Sequence, residues 1–90
     1  MSQKRSNLLR LAEELVNGDR QNAYGDPKQD FARTAAMWTV YLDGRSGIRP
    51  NDVAVMMILL KASRLSWMAG KEDSWVDIAG YAACGWDCVE

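Results

Sequence analysis

The chain has 90 residues, 48% of them hydrophobic and 26% charged, a composition typical of one small globular domain. Eleven Lys and Arg residues against twelve Asp and Glu residues give a formal net charge of −1, so no bulk positive charge indicates a DNA-binding protein. No apolar run reaches the roughly 18 residues that span a membrane, and residues 2–10 are mostly polar, unlike a secretory signal. We therefore expect a single domain over residues 1–90, located in the cytoplasm.

The first two predicted helices flank a polar loop. Residues at helical spacing predict the first helix, namely Leu8, Leu11, Ala12, Leu15 and Val16. Asn17-Gly18 is a typical stop signal for that helix. Asp26 as N-cap and Pro27 at the first helical position predict the start of the second helix, which is expected to end at Gly44. Its apolar face consists of Phe31, Ala35, Trp38 and Leu42.

The third predicted helix follows a loop over residues 44–49, begins at Pro50 and ends near Gly70. It has no polar residue from Val53 to Leu60, which is typical of a helix that is buried on all sides. A buried strand is the competing interpretation of so short an apolar run, but its Met, Ala and Leu residues favour a helix.

The fourth predicted helix is capped by Asp73 or Ser74 and runs to about Cys88. Because strand signals are nearly absent, the fold class is all-α, a compact bundle of about four helices. The chain has four Trp, three Tyr and five Met residues, which are more large apolar side chains than so small a core can bury. We therefore expect a homo-oligomer, with a dimer as the minimum.

Two cysteines and the absence of histidine limit the possible chemistry. Without histidine, Ser-His and Cys-His nucleophile pairs and His-containing metal sites are excluded. Cys84 and Cys88 are four residues apart and share one face of a helix, where a disulfide is geometrically poor. We expect both thiols to be reduced and partly buried.

The loop from Arg20 to Pro27 contains a cation, an aromatic ring and a glycine. Tyr24 can stack on a base, and backbone N–H groups near Gly25 can face a phosphate. The alternative is structural: Gly25 makes a turn, Asp26 caps the helix and Tyr24 fills the edge of the core.

Lys61 and Arg64 follow the apolar run of the third helix and lie one turn apart. Two cations at this place can bind phosphates. They can also compensate the helix dipole and form a salt bridge with the next helix.

Asp73, Asp77 and Tyr81 are spaced by four residues and share a face of the fourth helix, with Lys71 just before them. The two carboxylates can hold Mg²⁺ or accept salt bridges from Lys61 and Arg64. No glycine-rich phosphate loop or other specific catalytic signature is present.

The pattern resembles a family of small phage and prophage proteins. The resemblance covers residues 18–83 and is carried by Arg20…Tyr24-Gly25-Asp26-Pro27…Phe31…Trp38, Leu59-Leu60-Lys61-Ala62-Ser63-Arg64 and Lys71-Glu72-Asp73-Ser74…Asp77-Ile78-Ala79-Gly80-Tyr81. That family is similar to nucleotide-modification-associated helical domains, and distantly to all-α NTP pyrophosphohydrolases of the MazG and dimeric dUTPase type. The resemblance implies a helical oligomer that handles nucleotides in the cytoplasm of an infected bacterium.

The chain departs from the pyrophosphohydrolases in its carboxylates. Those enzymes surround Mg²⁺ with an ExxE pair and a later ExxD pair. This chain has no ExxE pair, since Val16 stands three residues after Glu13, and only Asp73 and Asp77 can stand for the second pair. We therefore expect a non-enzymatic nucleotide-binding protein without a cofactor, similar in its logic to phage sponges that sequester cyclic nucleotide signals of host immunity. Its expected ligand-binding residues are Arg20, Tyr24, Gly25, Lys61, Arg64, Lys71, Asp77 and Tyr81.

Two alternatives remain open. The first is a Mg²⁺-dependent nucleoside triphosphate pyrophosphohydrolase with Asp73 and Asp77 as metal ligands. The second is an adaptor or inhibitor whose Trp and Met residues bind a host protein.

Overall fold

A computed structural model describes residues 3–44 and 47–89, and all regular structure in these ranges is helical. The helices are α1 (Gln3–Glu14), a π-helical turn (Leu15–Asp19), α2 (Arg20–Tyr24), α3 (Pro27–Tyr41), α4 (Pro50–Trp67) and α5 (Glu72–Asp87). Because α1, the π turn and α2 follow one another without a break, the described chain forms four helical stretches. The all-α fold of about four helices is therefore confirmed. In the described ranges, no helix is long and apolar enough to cross a membrane.

The predicted stop at Asn17-Gly18 is wrong, and so is the predicted loop that begins at Arg20. The helix passes through Leu15–Asp19 as a π turn and continues to Tyr24, so only Gly25 and Asp26 separate it from α3. This segment packs against α5 at Gly80, where an added Cβ would lie in contact with Val16 and Leu15. Tertiary packing against α5 thus overrides a local stop signal.

The start of α3 is as predicted. Asp26 has an extended backbone and its side chain accepts a hydrogen bond from the backbone N–H of Lys28 at 2.9 Å. Phe31 and Ala35 are buried in the core, and Trp38 is half-buried against it. Leu42 lies just past the helix end and is 37% exposed, so it contributes less to the apolar face than expected.

Pro50 begins α4, with Asp52 in the first turn as predicted, and Asp52 accepts a hydrogen bond from the backbone N–H of Arg49 at 2.9 Å. The prediction that α4 is buried on all sides is wrong. Val53 and Ala54 are 2% exposed, but Val55 is 52% and Leu59 is 62% exposed. The reason is that α3 and α5 pack on α4 from one side only, and no described element covers its outer face.

The antiparallel pair α4 and α5 forms the most extensive contact in the fold. The N-cap of α5 is Lys71, which makes no side-chain cap hydrogen bond, so the predicted cap at Asp73 or Ser74 is wrong. Cys84 and Cys88 are free, as predicted, and they are buried in the core more completely than the partial burial expected. The oligomeric state remains a prediction.

Candidate functional site

A cavity of about 360 Å³ lies between the π turn, α2 and α5. Leu15 and Val16 give it an apolar wall, and the polar or aromatic side chains that line it are Arg20, Tyr24, Asp77 and Tyr81. The volume is at the lower end of the range of small-molecule sites. We call this cavity the aromatic cavity.

Arg20 lies beneath the aromatic cavity and is held on several sides. Its Nη2 lies 2.6 Å from Oδ2 of Asp30, and its side chain is only 11% exposed. The guanidinium carbon lies 4.7 Å from the ring centroid of Phe31 and 5.7 Å from that of Tyr24. Nη1 is buried and has no hydrogen-bond partner among the described residues, so this nitrogen retains a free donor.

The two tyrosines differ in their exposure. Tyr24 is 61% exposed, which leaves its ring accessible and excludes the interpretation that it fills the edge of the core. Tyr81 is half-buried, and its ring centroid lies 6.2 Å from that of Phe31. Burial, followed by the negative charge of Asp77, raises the pKa of Tyr81 above its ordinary value of 10.0. Its hydroxyl therefore keeps its proton at neutral pH.

A second cavity, of about 510 Å³, lies at the end of α4 and the start of α5. Lys61, Arg64 and Lys71 line it together with Asp73 and Asp77, and we call it the cationic cavity. Nζ of Lys61 lies 3.0 Å from Oδ2 of Asp77, so the predicted salt bridge to the next helix is present. Because Asp77 lines both cavities, the two sites adjoin at this residue.

The structure thus brings together most of the predicted site residues, and their role in ligand binding remains a prediction. Gly25 lies outside both cavities and forms the turn between α2 and α3 with a φ of 78°. The sequence carries no signal for Asp30 as the partner of Arg20, because the two residues are ten positions apart on different helices. It also gave no signal for Leu15, Val16 and Gly80 as walls of the aromatic cavity.

The carboxylates of Asp73 and Asp77 belong to the cationic cavity, and they also line a groove between α1 and α5 with Glu14 and Glu72. In residues 3–44 and 47–89, no group of three or more acidic or sulfur ligands is arranged to hold a metal ion. Glu14 is exposed and lies 3.0 Å from Nη1 of Arg10.

The fold and the paired cavities define a small helical domain with a solvent-accessible polar site. A family model described as a domain of unknown function, DUF6378, matches residues 7–89, and the chain belongs to this family.

Two curated relatives are both called Gene 55 protein and come from mycobacteriophages. The protein of Mycobacterium phage L5 is 48% identical over 75 residues, which cover 83% of this chain and 47% of the relative. The protein of Mycobacterium phage D29 is 38% identical over 77 residues, which cover 86% of this chain and 50% of the relative. The chain therefore spans about half the length of these relatives. No solved structure matches the chain.

The predicted membership of a phage protein family is confirmed by these matches. The finer similarity to nucleotide-modification domains and to MazG-type enzymes remains a prediction.

Proposed function

We propose that this protein binds a nucleotide without hydrolysing it. The observation that carries the proposal is that an aromatic cavity and a cationic cavity adjoin at Asp77. A nucleotide has the same division, with an aromatic base at one end and phosphate at the other. The base enters the aromatic cavity, and the phosphates enter the cationic cavity.

The aromatic cavity suits a base because Tyr24 offers an accessible ring and Tyr81 lines the same space. Stacking of a base on an aromatic side chain contributes about 1–3 kcal/mol. Arg20 was expected to contact phosphate, but its burial and its ion pair with Asp30 favour a contact with the base instead.

The cationic cavity suits phosphate because Arg64 and Lys71 are exposed cations that line it. Lys61 contributes a third positive charge, which Asp77 partly balances and holds in place. A hydrogen bond from a charged side chain to phosphate contributes about 1.5–3 kcal/mol.

We propose further that the ligand is a cyclic oligonucleotide immune signal, held at an interface between subunits in the host cytoplasm. The phage origin of the relatives supports this role, since sequestering such a signal would protect a phage from host defence. The exposed apolar face of α4, with Val55 and Leu59, supports an association of subunits.

Two other functions compete with this proposal. The second candidate is Mg²⁺-dependent pyrophosphohydrolysis, for which Asp73 and Asp77 line the groove between α1 and α5, although no three acidic groups in residues 3–44 and 47–89 are arranged to hold a metal ion. The exposed rings of Trp67 and Trp86 favour an adaptor or inhibitor that binds a host protein.

The test is a titration calorimetry series with linear and cyclic nucleotides, each with and without Mg²⁺, followed by chromatography of the recovered ligand. We expect binding without metal and recovery of the intact nucleotide. A triphosphate that returns as a monophosphate in the presence of Mg²⁺ would establish the enzyme instead. The proposal of nucleotide binding is refuted if no nucleotide binds at concentrations up to about 1 mM, which is a weak affinity for a specific site.

Variants separate the cationic cavity from general charge effects. Arg64→Gln and Lys71→Gln are each expected to weaken nucleotide binding by about tenfold or more, because each removes a charged hydrogen bond to phosphate. Lys28→Gln is the matched control, since Lys28 is an exposed lysine that lines neither cavity. Equal weakening by all three variants would indicate only nonspecific attraction.

A further inference from the structure

We infer that the aromatic cavity is selective for guanine. This inference rests on the proposed function, because it identifies the base that the nucleotide site reads. It is carried by two residues that line the aromatic cavity, Arg20, whose Nη1 is a buried donor without a partner among the described residues, and Asp77, whose carboxylate is an acceptor.

The donor is fixed and unsatisfied. Nη2 of Arg20 is committed to Asp30 at 2.6 Å, and the guanidinium is held over the ring of Phe31. Nη1 is buried without a hydrogen-bond partner among the described residues. A buried, unpaired donor destabilises the empty protein, so a ligand that supplies an acceptor gains that energy on binding. The best acceptor for a cation is an oxygen with partial negative charge, such as a base carbonyl.

The acceptor is equally restrained. Lys61 contacts Asp77 through Oδ2 at 3.0 Å, which holds the carboxylate in place. The Asp77 side chain is 29% exposed, which leaves it accessible to a ligand in the cavity. A carboxylate accepts hydrogen bonds and donates none, so it favours a base edge that carries N–H groups.

Guanine matches this pair because its O6 and N7 are acceptors, whereas N1–H and the N2 amine are neighbouring donors. Arg20 would donate to O6, and Asp77 would accept from N1–H and N2. Adenine has no carbonyl oxygen and no N1–H, so it leaves the charge on Arg20 without an oxygen partner. Uracil has two carbonyls and one N–H, but it lacks the exocyclic amine and the larger stacking surface of guanine. The expected affinity is therefore highest for guanine, lower for hypoxanthine and lowest for adenine and uracil.

The test measures the affinity of the full chain for GMP, IMP, AMP and UMP by titration calorimetry. We expect GMP to bind about 5- to 150-fold more tightly than AMP, the discrimination given by a good side-chain pair with a base. IMP should lie between them because it lacks only the N2 amine. Equal affinity for the four nucleotides would overturn the guanine inference and leave nucleotide binding intact. No binding of any of the four would overturn the guanine inference, and the proposed function would fall with it only if no cyclic nucleotide binds in the series above.

A variant gives an independent readout. Asp77→Asn replaces one acceptor oxygen with a donor amide, which suits xanthine because xanthine carries a carbonyl at the position of the guanine amine. The ratio of XMP to GMP affinity should therefore rise by about tenfold or more in this variant. An unchanged ratio, measured on protein that retains its helical circular dichroism, would show that Asp77 does not contact the base. The wild-type ranking needs no variant and decides the inference if Asp77→Asn does not fold.

Discussion

The close packing of α5 on α4 at Gly85 makes this residue a sharp test of the fold. A Cβ added at Gly85 would lie 2.6 Å from Cβ of Ala54. Carbon atoms in ordinary contact are about 3.5–4.0 Å apart, so Gly85→Ala forces the two helices apart by about 1 Å. Overpacking of this kind costs about 1–3 kcal/mol, partly offset by the better helix propensity of alanine.

We expect Gly85→Ala to destabilise the protein by about 2 kcal/mol. For a domain of 90 residues, each kcal/mol lowers Tm by about 4–8 °C, so the drop is about 8–16 °C. The assay is thermal unfolding followed by circular dichroism at one fixed protein concentration, because subunit association would make Tm depend on concentration.

Two further variants separate the steric contact from the change in propensity. Ala54→Gly in the Gly85→Ala background removes the clashing methyl group and should restore most of the stability, since the two changes in helix propensity cancel. Gly18→Ala is the control, because a Cβ there meets nothing within 4 Å. If Gly85→Ala melts like the wild type, or if Ala54→Gly adds to the loss instead of reversing it, the close packing of α4 on α5 is refuted.

Three further predictions concern single interactions. Asp26→Ala removes the cap of α3 and should cost about 1 kcal/mol in urea unfolding, whereas Asp26→Asn should not; equal losses would exclude capping as the cause. Asp30→Ala leaves the mostly buried charge of Arg20 unpaired and should cost about 3 kcal/mol, more than Asp30→Ala combined with Arg20→Met; a larger loss in the double variant would contradict this. Burial raises the pKa of Cys84 and Cys88 above 9.0 in the folded state. Their contribution to stability is therefore complete below about pH 9 and is lost as the pH rises through the folded pKa. The urea midpoint should fall over this pH range, and it should fall less in the double cysteine-to-alanine variant.

The sequence predicted well those features that depend on neighbouring residues. Asp26 and Pro27 predict the start of α3, because capping and the fixed φ of proline act within one turn. Pro50 predicts the start of α4 for the same reason. The spacing of Cys84 and Cys88 predicts that the two residues share one face, and both lie in the core at the end of α5.

The features that were missed depend on distant parts of the chain. Gly18 lies inside a π turn because α5 packs against that segment, and no local signal in residues 15–19 reports this packing. The ion pair of Arg20 with Asp30 joins two helices whose relative placement follows from the missed continuation of the first. The exposure of Leu59 on α4 shows that an apolar sequence reports a preference for burial but does not identify the surface that satisfies it.

The packing contact at Gly85 and the proposed site both depend on how α4 and α5 are aligned along their length. On α4, Lys61 follows Ala54 by two turns, and on the antiparallel α5, Asp77 precedes Gly85 by about the same distance, roughly 10–12 Å. The small residues at one end let the helices approach closely, and this approach sets which residues face each other further along. The pairing of Asp77 with Lys61 at 3.0 Å and the contact between Gly85 and Ala54 thus belong to the same alignment of the two helices. A variant that forces the helices apart at Gly85 should accordingly weaken nucleotide binding as well as stability, although Gly85 lines neither cavity.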